Sequence, residues 1–330
     1  MKLLIVRFSS IGDIVLTTPV IRCLKQQTGA EIHFLTKAAF APTLRHNPHL
    51  TRLWTIKKDI REVGDELISE RFTHLIDLHG NLRTLELKQR LTFGHLRTGV
   101  RPPRSSTFNK LNVQKFLLTR FRIDRMPDVH IVDRYLATVA DLGVVNDGQG
   151  LEYFVGPGEE VSPPVADYLA FVIGAAHATK RLEEGQMIDL CKQISYPIVL
   201  LGGPGEQEMG ERIATTGDHI YNGCGAYALN GSADLVRKAR AVITHDTGLM
   251  HIAAAYRKRI ISVWGNTVPE LGMYPYLPNA QPQTIAEVKG LSCRPCSKIG
   301  YAACPKGHFR CMRDQNIAEI ARRALLAVEA

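Results

Sequence analysis

The stretch His245-Asp246-Thr247-Gly248-Leu249-Met250-His251-Ile252-Ala253-Ala254-Ala255 decides how this chain is read. It follows the apolar run Ala241-Val242-Ile243 and passes into small residues at helical spacing, so it marks a corner from strand to helix. Asp246 and Thr247 suit the N-cap position, and Gly248 lets a ligand approach the backbone. The unpaired amides of the first helical turn then form an anion site of the kind that holds phosphate. Asp-Thr-Gly is also an ordinary helix start, so the corner alone does not decide between a binding site and a plain cap.

Outward from it, a second corner of the same type opens the chain. Lys2 to Phe8 reads as a buried strand, and Ser9-Ser10-Ile11-Gly12-Asp13 turns into a helix running to about Gln27, with Asp13 near its start. In open α/β sheets the ligand crevice lies at the carboxyl ends of the strands, where both corners fall. One corner lies in each half of 330 residues, a length that suits two domains. The expectation is a two-substrate enzyme with its site in a cleft between domains.

The remaining pattern supports α/β halves. Glu31 to Thr36, Thr51 to Ile56 and Thr73 to Leu78 read as strands, with helices near 60 to 71, 81 to 92 and 131 to 142. Gly and Pro residues between 148 and 164 mark the linker. The alternation restarts with strands at Tyr168 to Ile173 and Pro197 to Leu201 and a helix near 184 to 194. After the Asp246 corner come a strand at Ile260 to Trp264 and a Pro-rich stretch to about Pro282. The expected domains are 1–150, a linker 151–164, a second domain 165–312 and a closing helix 313–330. Gly202-Gly203-Pro204-Gly205-Glu206 lacks the third glycine of a dinucleotide fingerprint, which argues against a nicotinamide enzyme.

Charge is concentrated. Residues 1–150 hold 23 Lys and Arg against 14 Asp and Glu, and 151–330 hold 18 of each, so the net +9 belongs to the first half. Eleven basic residues lie between Arg83 and Arg125, Arg101 and Arg104 among them, against Glu86 and Asp124. Such a segment attracts an anionic partner: phosphorylated lipid, an anionic membrane face or nucleic acid. No helix-turn-helix, zinc finger or stacking platform accompanies it, which sets nucleic acid aside. The apolar run Leu3 to Val6 is too short for a signal peptide or a membrane span, so a cytoplasmic protein is expected.

Three segments together carry a family resemblance: the opening Lys2 to Pro19, the segment His130 to Leu142 with Val132-Asp133-Arg134-Tyr135-Leu136, and Asp246 to His251. In this order and spacing they resemble the family 9 glycosyltransferases, the ADP-heptose:lipopolysaccharide heptosyltransferases, over nearly the whole chain. The resemblance implies an α/β protein of GT-B type: two Rossmann-like domains with parallel sheets facing across a cleft, acceptor on the first and sugar nucleotide on the second. It also implies a metal-independent, inverting transfer at the cytoplasmic face of the inner membrane.

Carried onto this sequence, the resemblance makes Asp13 the general base. Ser10, Gly12, Arg101 and Arg104 become candidate contacts to an anionic glycolipid acceptor. The donor, expected to be ADP-heptose, falls to Lys180, Arg181, Glu206, Asp246, Thr247, Gly248 and His251. Lys180 and the first amides of the helix would meet the diphosphate, with Arg181 able to assist or substitute, and Glu206 the ribose. His251 either touches the sugar or packs; Asp246 either caps the helix or contacts a donor hydroxyl. The family often has an aromatic residue after the basic pair, where this chain has Leu182. Two competing readings are a GT-B transferase using another nucleotide sugar or glycan acceptor, and a catalytically silent binder of sugar nucleotide or anionic lipid.

Seven cysteines need a separate account. Cys23, Cys191 and Cys224 are scattered and read as buried small hydrophobes. Cys293, Cys296, Cys304 and Cys311 form C-x2-C-x7-C-x6-C. A structural, non-catalytic zinc site, packed free thiols and redox pairing all fit that spacing.

Overall fold

The computed structural model describes residues 1–278 and 283–329. The end of the Pro-rich stretch, through Pro282, lies outside the described residues. The chain forms two compact units. Met1–Lys110 joins Val129–Phe154, and Leu111–Asp128 joins Val155–Ala330.

The first unit is a parallel sheet in the order β3-β2-β1-β4-β5. Its strands are β1 (Lys2–Val6), β2 (Glu31–Lys37), β3 (Arg52–Ile56), β4 (His74–Asp77) and β5 (Arg104–Thr107). β1 pairs with β2 on one edge and β4 on the other, which makes it a central strand, and its Leu3, Leu4, Ile5 and Val6 are fully buried. That explains the unbroken apolar run. The expected helix from Ile11 to Gln27 is two segments, α1 (Ile11–Val15) and α2 (Thr18–Thr28). Pro19 has no amide hydrogen to donate, so it sits in the first turn of a new helix rather than in mid-helix. The unit continues with α3 (Gly64–Ser69) and α4 (Leu82–Arg97), which pack on a core of Leu4, Val6, Phe8, Leu35, Leu67, Leu75, Leu87 and Leu91.

Two edge strands escape the apolar-run criterion. β5 reads Arg-Ser-Ser-Thr and is mostly exposed; β11 (Gln283–Glu287) is half-buried. Edge strands need no continuous apolar run, since only one neighbour covers them.

Residues 111 to 128, read with the first domain, belong to the second unit. After the short α5 (Asn112–Phe116), Leu118 and Met126 pack against Val268 and Leu271, and Arg122 donates to the carbonyls of Ser292 and Cys293. Then α6 (Ile131–Leu136) returns to the first unit, closed by a 3-10 turn ending at Gly143, whose φ of 75° favours glycine. The unit boundary falls inside the expected linker. Arg22 ties Glu152, at its start, and the preceding Asp147 and Gly150 carbonyl to the first unit. Val161 N–H bonds Asp234 and Asn230 bonds Glu159 in the second.

The second sheet runs β11-β10-β9-β6-β7-β8, all parallel. Its remaining strands are β6 (Leu169–Val172), β7 (Ile198–Leu201), β8 (Ile220–Asn222), β9 (Ala241–His245) and β10 (Arg259–Trp264). The helices are α7 (Glu184–Lys192), α8 (Gln207–Ala214), α9 (Leu229–Lys238), α10 (Gly248–Ala255), α11 (Arg310–Arg313) and α12 (Ile317–Glu329). α12 is the expected closing helix; it buries Ile320, Ala321 and Ala324 in the core of this second unit. Among the described residues no helix is long and apolar enough to cross a membrane.

Candidate functional site

In each sheet the first strand of the unit sits where the strand order reverses: β1 beside β4, and β6 beside β9. Ligands of doubly wound sheets collect at the carboxyl ends of such strand pairs. Both corners singled out in the sequence lie there.

At the end of β1, Asp13 is the third residue of α1, and its carboxylate reaches back to Ser10. Oδ2 accepts from the Ser10 amide at 3.1 Å and from the Ser10 hydroxyl at 2.8 Å. Oδ1 pairs with Arg7 at 2.6 Å, and the Asp13 side chain keeps 18% of its exposure. Arg7 is buried and fixed by protein acceptors: it donates to the Leu78 carbonyl at 2.6 Å and the Ser9 carbonyl at 2.8 Å, and lies over the Tyr135 ring. Burial pushes the Asp13 carboxyl upward, but the Arg7 charge and the Ser10 hydrogen bonds outweigh it, leaving the group below the ordinary carboxylate range. Asp13 is therefore ionised near neutral pH and oriented from both sides.

The neighbouring turn after β4 holds residues that the sequence reading missed. Asp77 is buried, pairs with Lys88 at 2.7 Å and accepts the amides of His79 and Gly80. Burial, with the charges of Arg7 and Lys110 adding to it, pushes His79 down to about 4, so its ring is neutral at pH 7. The signal was present. Asp77-Leu78-His79-Gly80-Asn81 repeats the pattern of a strand ending in an acid before a capped helix, and Asn81 does cap α4.

The structure divides the other acceptor candidates. Ser10 and Gly12 lie with Asp13. Arg104 begins β5 and pairs in register with His74, the first residue of β4, so it lies at the opposite, amino edge of the sheet. Arg101 lies just before it, its carbonyl 3.3 Å from His95 Nδ1. A four-residue strand advances about 3.3 Å per residue, so these arginines are roughly 10 Å from the carboxyl edge.

At the end of β9, Thr247, not Asp246, is the N-cap of α10, and its side chain makes no capping bond. Asp246 is freed for a different task. Its Oδ2 accepts from Lys180 Nζ at 2.6 Å and from the Thr267 hydroxyl at 2.9 Å. Lys180 thus stands beside the first amides of α10, joining two loops 66 residues apart in sequence. Next to this pair, Arg181 contacts Glu206 at 3.4 Å, and the other Glu206 oxygen accepts the Gly203 amide at 2.9 Å. Gly174 lies against that carboxylate, and a Cβ there would approach it to 3.0 Å. Lys180, Arg181, Glu206, Asp246, Thr247 and Gly248 therefore assemble around one corner. His251 is buried at 2% exposure on α10. Behind the corner, burial holds His245 down to about 3, and its neutral Nε2 accepts the Leu182 amide at 3.1 Å. This bond fixes the strand end to the residue after the basic pair, at the position where the sequence lacks an aromatic ring.

The Cys-rich segment 293–311 braces the same corner. Tyr301 exchanges bonds with Thr179, its amide donating to the Thr179 hydroxyl at 2.8 Å and its carbonyl accepting from the Thr179 amide at 3.2 Å. Cys296 N–H bonds the Asn266 carbonyl, and Arg294 donates to the carbonyls of Gly265 and Thr267. Of the cysteines, Cys293 Sγ lies 3.7 Å from His308 Nε2, Cys296 Sγ donates to the Cys293 carbonyl, and Cys311 is buried. Burial, with the charges of the neighbouring thiols adding to it, pushes Cys296 and Cys311 up to about 11: Cys293 and Cys304 act on Cys296, and Cys296, Cys304 and Cys293 act on Cys311, so the four thiols lie within electrostatic reach of one another. Among the described residues, the one trio whose ligand atoms lie within 4.8 Å of one another is Glu31, His33 and Glu70. Lys2 already bridges its two carboxylates.

Comparison with known proteins agrees with this fold. The model of glycosyltransferase family 9 (heptosyltransferase) matches residues 60–303. Lipopolysaccharide heptosyltransferase 2 of Escherichia coli K12 is 24% identical over 303 residues, covering 82% of this chain and 84% of its own. The solved structure of the E. coli ADP-heptose lps heptosyltransferase II superposes with a TM-score of 0.68 at 20% identity, covering all of both chains. That of E. coli heptosyltransferase WaaC with ADP gives 0.64 at 22% identity, covering 86% and 92%. Two parallel α/β units of the GT-B kind, each with its polar corner at the strand-order reversal, and a family match over most of the sequence establish the chain as a glycosyltransferase belonging to family 9, the heptosyltransferase family.

Proposed function

We propose that this glycosyltransferase moves a heptose from ADP-heptose to a phosphorylated, lipid-linked lipopolysaccharide-core acceptor at the anionic face of the inner membrane, with inversion. Asp13 accepts the proton of the acceptor hydroxyl as its oxygen bonds to the anomeric carbon. The bond from that carbon to the diphosphate breaks on the opposite side, and its electron pair leaves with ADP. A carboxylate held ionised by Arg7 suits a base that must be unprotonated at the start.

The observation that carries the reading is the second corner. A lysine is held at 2.6 Å by Asp246 beside a helix N-terminus whose amides have no side-chain cap. Charge developing on a leaving diphosphate is best met by such fixed donors, and Lys180 with the amides of Gly248, Leu249 and Met250 would supply them without a metal ion. Glu206 would take the ribose hydroxyls with its free lone pairs, steadied by Arg181. His251, buried on α10, would pack behind the corner rather than meet the sugar. Arg101 and Arg104, distant from Asp13 along the strands, would attract the phosphates of the acceptor rather than touch the reacting hydroxyl. The ADP complex of the E. coli relative supports an adenine nucleotide as donor.

A thermal-shift panel of ADP-heptose, GDP-mannose and UDP-glucose tests the donor. A true donor raises the melting temperature through RT ln(1 + [L]/Kd), by a free energy of about 2.7 kcal/mol at a hundredfold excess over Kd. ADP-heptose alone is expected to do so. A shift by another sugar nucleotide replaces the donor assignment, and no shift from any removes it. Donor binding without transfer by the unmodified protein would make the chain a binder.

A further inference from the structure

Helix α4 has two apolar faces, and the fold uses one. Thr84, Leu87, Leu91 and His95 are buried beneath it. On the opposite side, Leu82, Leu85, Phe93 and Leu96 remain 84%, 50%, 65% and 58% exposed. Their spacing of 3, 8 and 3, with Gln89 between, places them in one stripe along the whole helix. Sixteen residues extend about 24 Å. An exposed Leu or Phe alone needs no account, but four in line on one helix mark a surface meant to be covered.

Packing fixes which side faces out. Gly94 lies so close to Ile68 of α3 that a Cβ there would clash, and Gly64 of α3 is pressed in the same way by the Arg90 side chain. The two helices therefore cross tightly, and α4 cannot rotate to bury the stripe without losing its core face.

The charge of the helix selects what covers it. Lys88 and Arg90 are neutralised by Asp77 and Asp65, and Glu86 is the one acid on the helix itself, but Arg97 is exposed at the last turn, with exposed Arg101 and Arg104 just beyond. A second copy would bring like charges together. An apolar stripe with a basic flank, on a helix too short and too polar to span a bilayer, fits the interface of an anionic one.

We propose that α4 lies on an anionic lipid surface, with Leu82, Leu85, Phe93 and Leu96 seated at the boundary between headgroups and acyl chains. This deepens the proposed function, since the acceptor is lipid-linked, but it is tested apart from catalysis. The full chain is floated with vesicles of phosphatidylethanolamine and phosphatidylglycerol at 7:3, and with phosphatidylcholine alone. Binding to the anionic vesicles is expected, at least tenfold weaker on phosphatidylcholine. F93S/L96S should lower anionic binding about tenfold or more at unchanged melting temperature. It should leave transfer to a water-soluble, delipidated acceptor fragment at the level of the unmodified enzyme. F93W adds a reporter that remains valid if the double variant unfolds: its emission should shift to the blue on anionic vesicles and stay constant on phosphatidylcholine.

No binding of the unmodified chain, equal binding by F93S/L96S, or an unshifted F93W spectrum each overturns the proposal. So does a concentration-dependent dimer that the double variant abolishes, because the stripe is then occupied by another copy. Failure of transfer with vesicle binding intact removes the proposed reaction and leaves this surface standing.

Discussion

The two corners use the same pair in opposite senses. Each holds a carboxylate and a cation at 2.6 Å, Asp13 with Arg7 and Asp246 with Lys180. Arg7 spends its other nitrogens on the Leu78 and Ser9 carbonyls, so it is fixed to the protein and serves the acid beside it. Asp246 is fixed by Thr267, and it is the lysine that stands beside the uncapped helix. A planar, always charged guanidinium suits the first task and a compact ammonium the second. The lesson is that an ion pair at a strand end does not reveal which partner works. What each partner does with its remaining valences reveals it.

The sharpest way to break this contrast is Asp13→Asn. If Asp13 is the working member, kcat should fall about 10³-fold, within the usual range for a lost general base, while ADP binding measured by calorimetry is unchanged. Retained turnover would remove the assignment. In the second corner, Lys180→Ala should lower kcat/KM for the donor about 10²-fold by taking one donor from the leaving group. Asp246→Asn leaves the lysine in place but less well held, so about a tenfold rise in donor KM with a smaller change in kcat is expected. If Asp246→Asn proves worse than Lys180→Ala, the roles in that corner are reversed.

The smallest effect should come from Arg7→Lys, which keeps the charge and loses the fixed fork. Asp13 sits below the ordinary 3.8 because of Arg7 and Ser10, so its ionised form is complete above that value and is lost as pH falls through the depressed one. Weakening the pair raises that value. The acid limb of the kcat/KM profile should therefore move to higher pH, with the rate at neutral pH nearly unchanged. A limb that does not move would mean that Arg7 only packs.

Much of this was legible in the sequence because it rests on local rules. Apolar runs ending in Ser-Ser-Ile-Gly-Asp and His-Asp-Thr-Gly announced both corners, and Lys180 with Asp246 and Arg181 with Glu206 form neighbouring ion pairs at the second. What escaped depends on non-local pairing. Nothing local in Arg104-Ser105-Ser106-Thr107 reveals an edge strand, and its direction sets Arg101 and Arg104 away from Asp13. Arg7 reads as a break in an apolar strand until Leu78, 71 residues on, supplies its carbonyl. The excursion of residues 111–128 into the second unit depends on Val268 and Leu271, which no period in the segment itself could announce. The same limit applies to the cysteines, whose spacing alone does not say that all four come within electrostatic reach of one another.

The bracing of the donor corner by Tyr301 and Cys296 has a dynamic consequence. Thr179 and Asn266 are secured through one irregular segment rather than by the sheet, so their stability is that of the segment. Local opening there would release both the lysine loop and the loop that steadies Asp246 in a single event, at a free energy below global unfolding. Amide hydrogen exchange at Thr179, Cys296 and Tyr301 should then share one rate, faster than that of β6 and β9 beneath, and nucleotide should slow all three together.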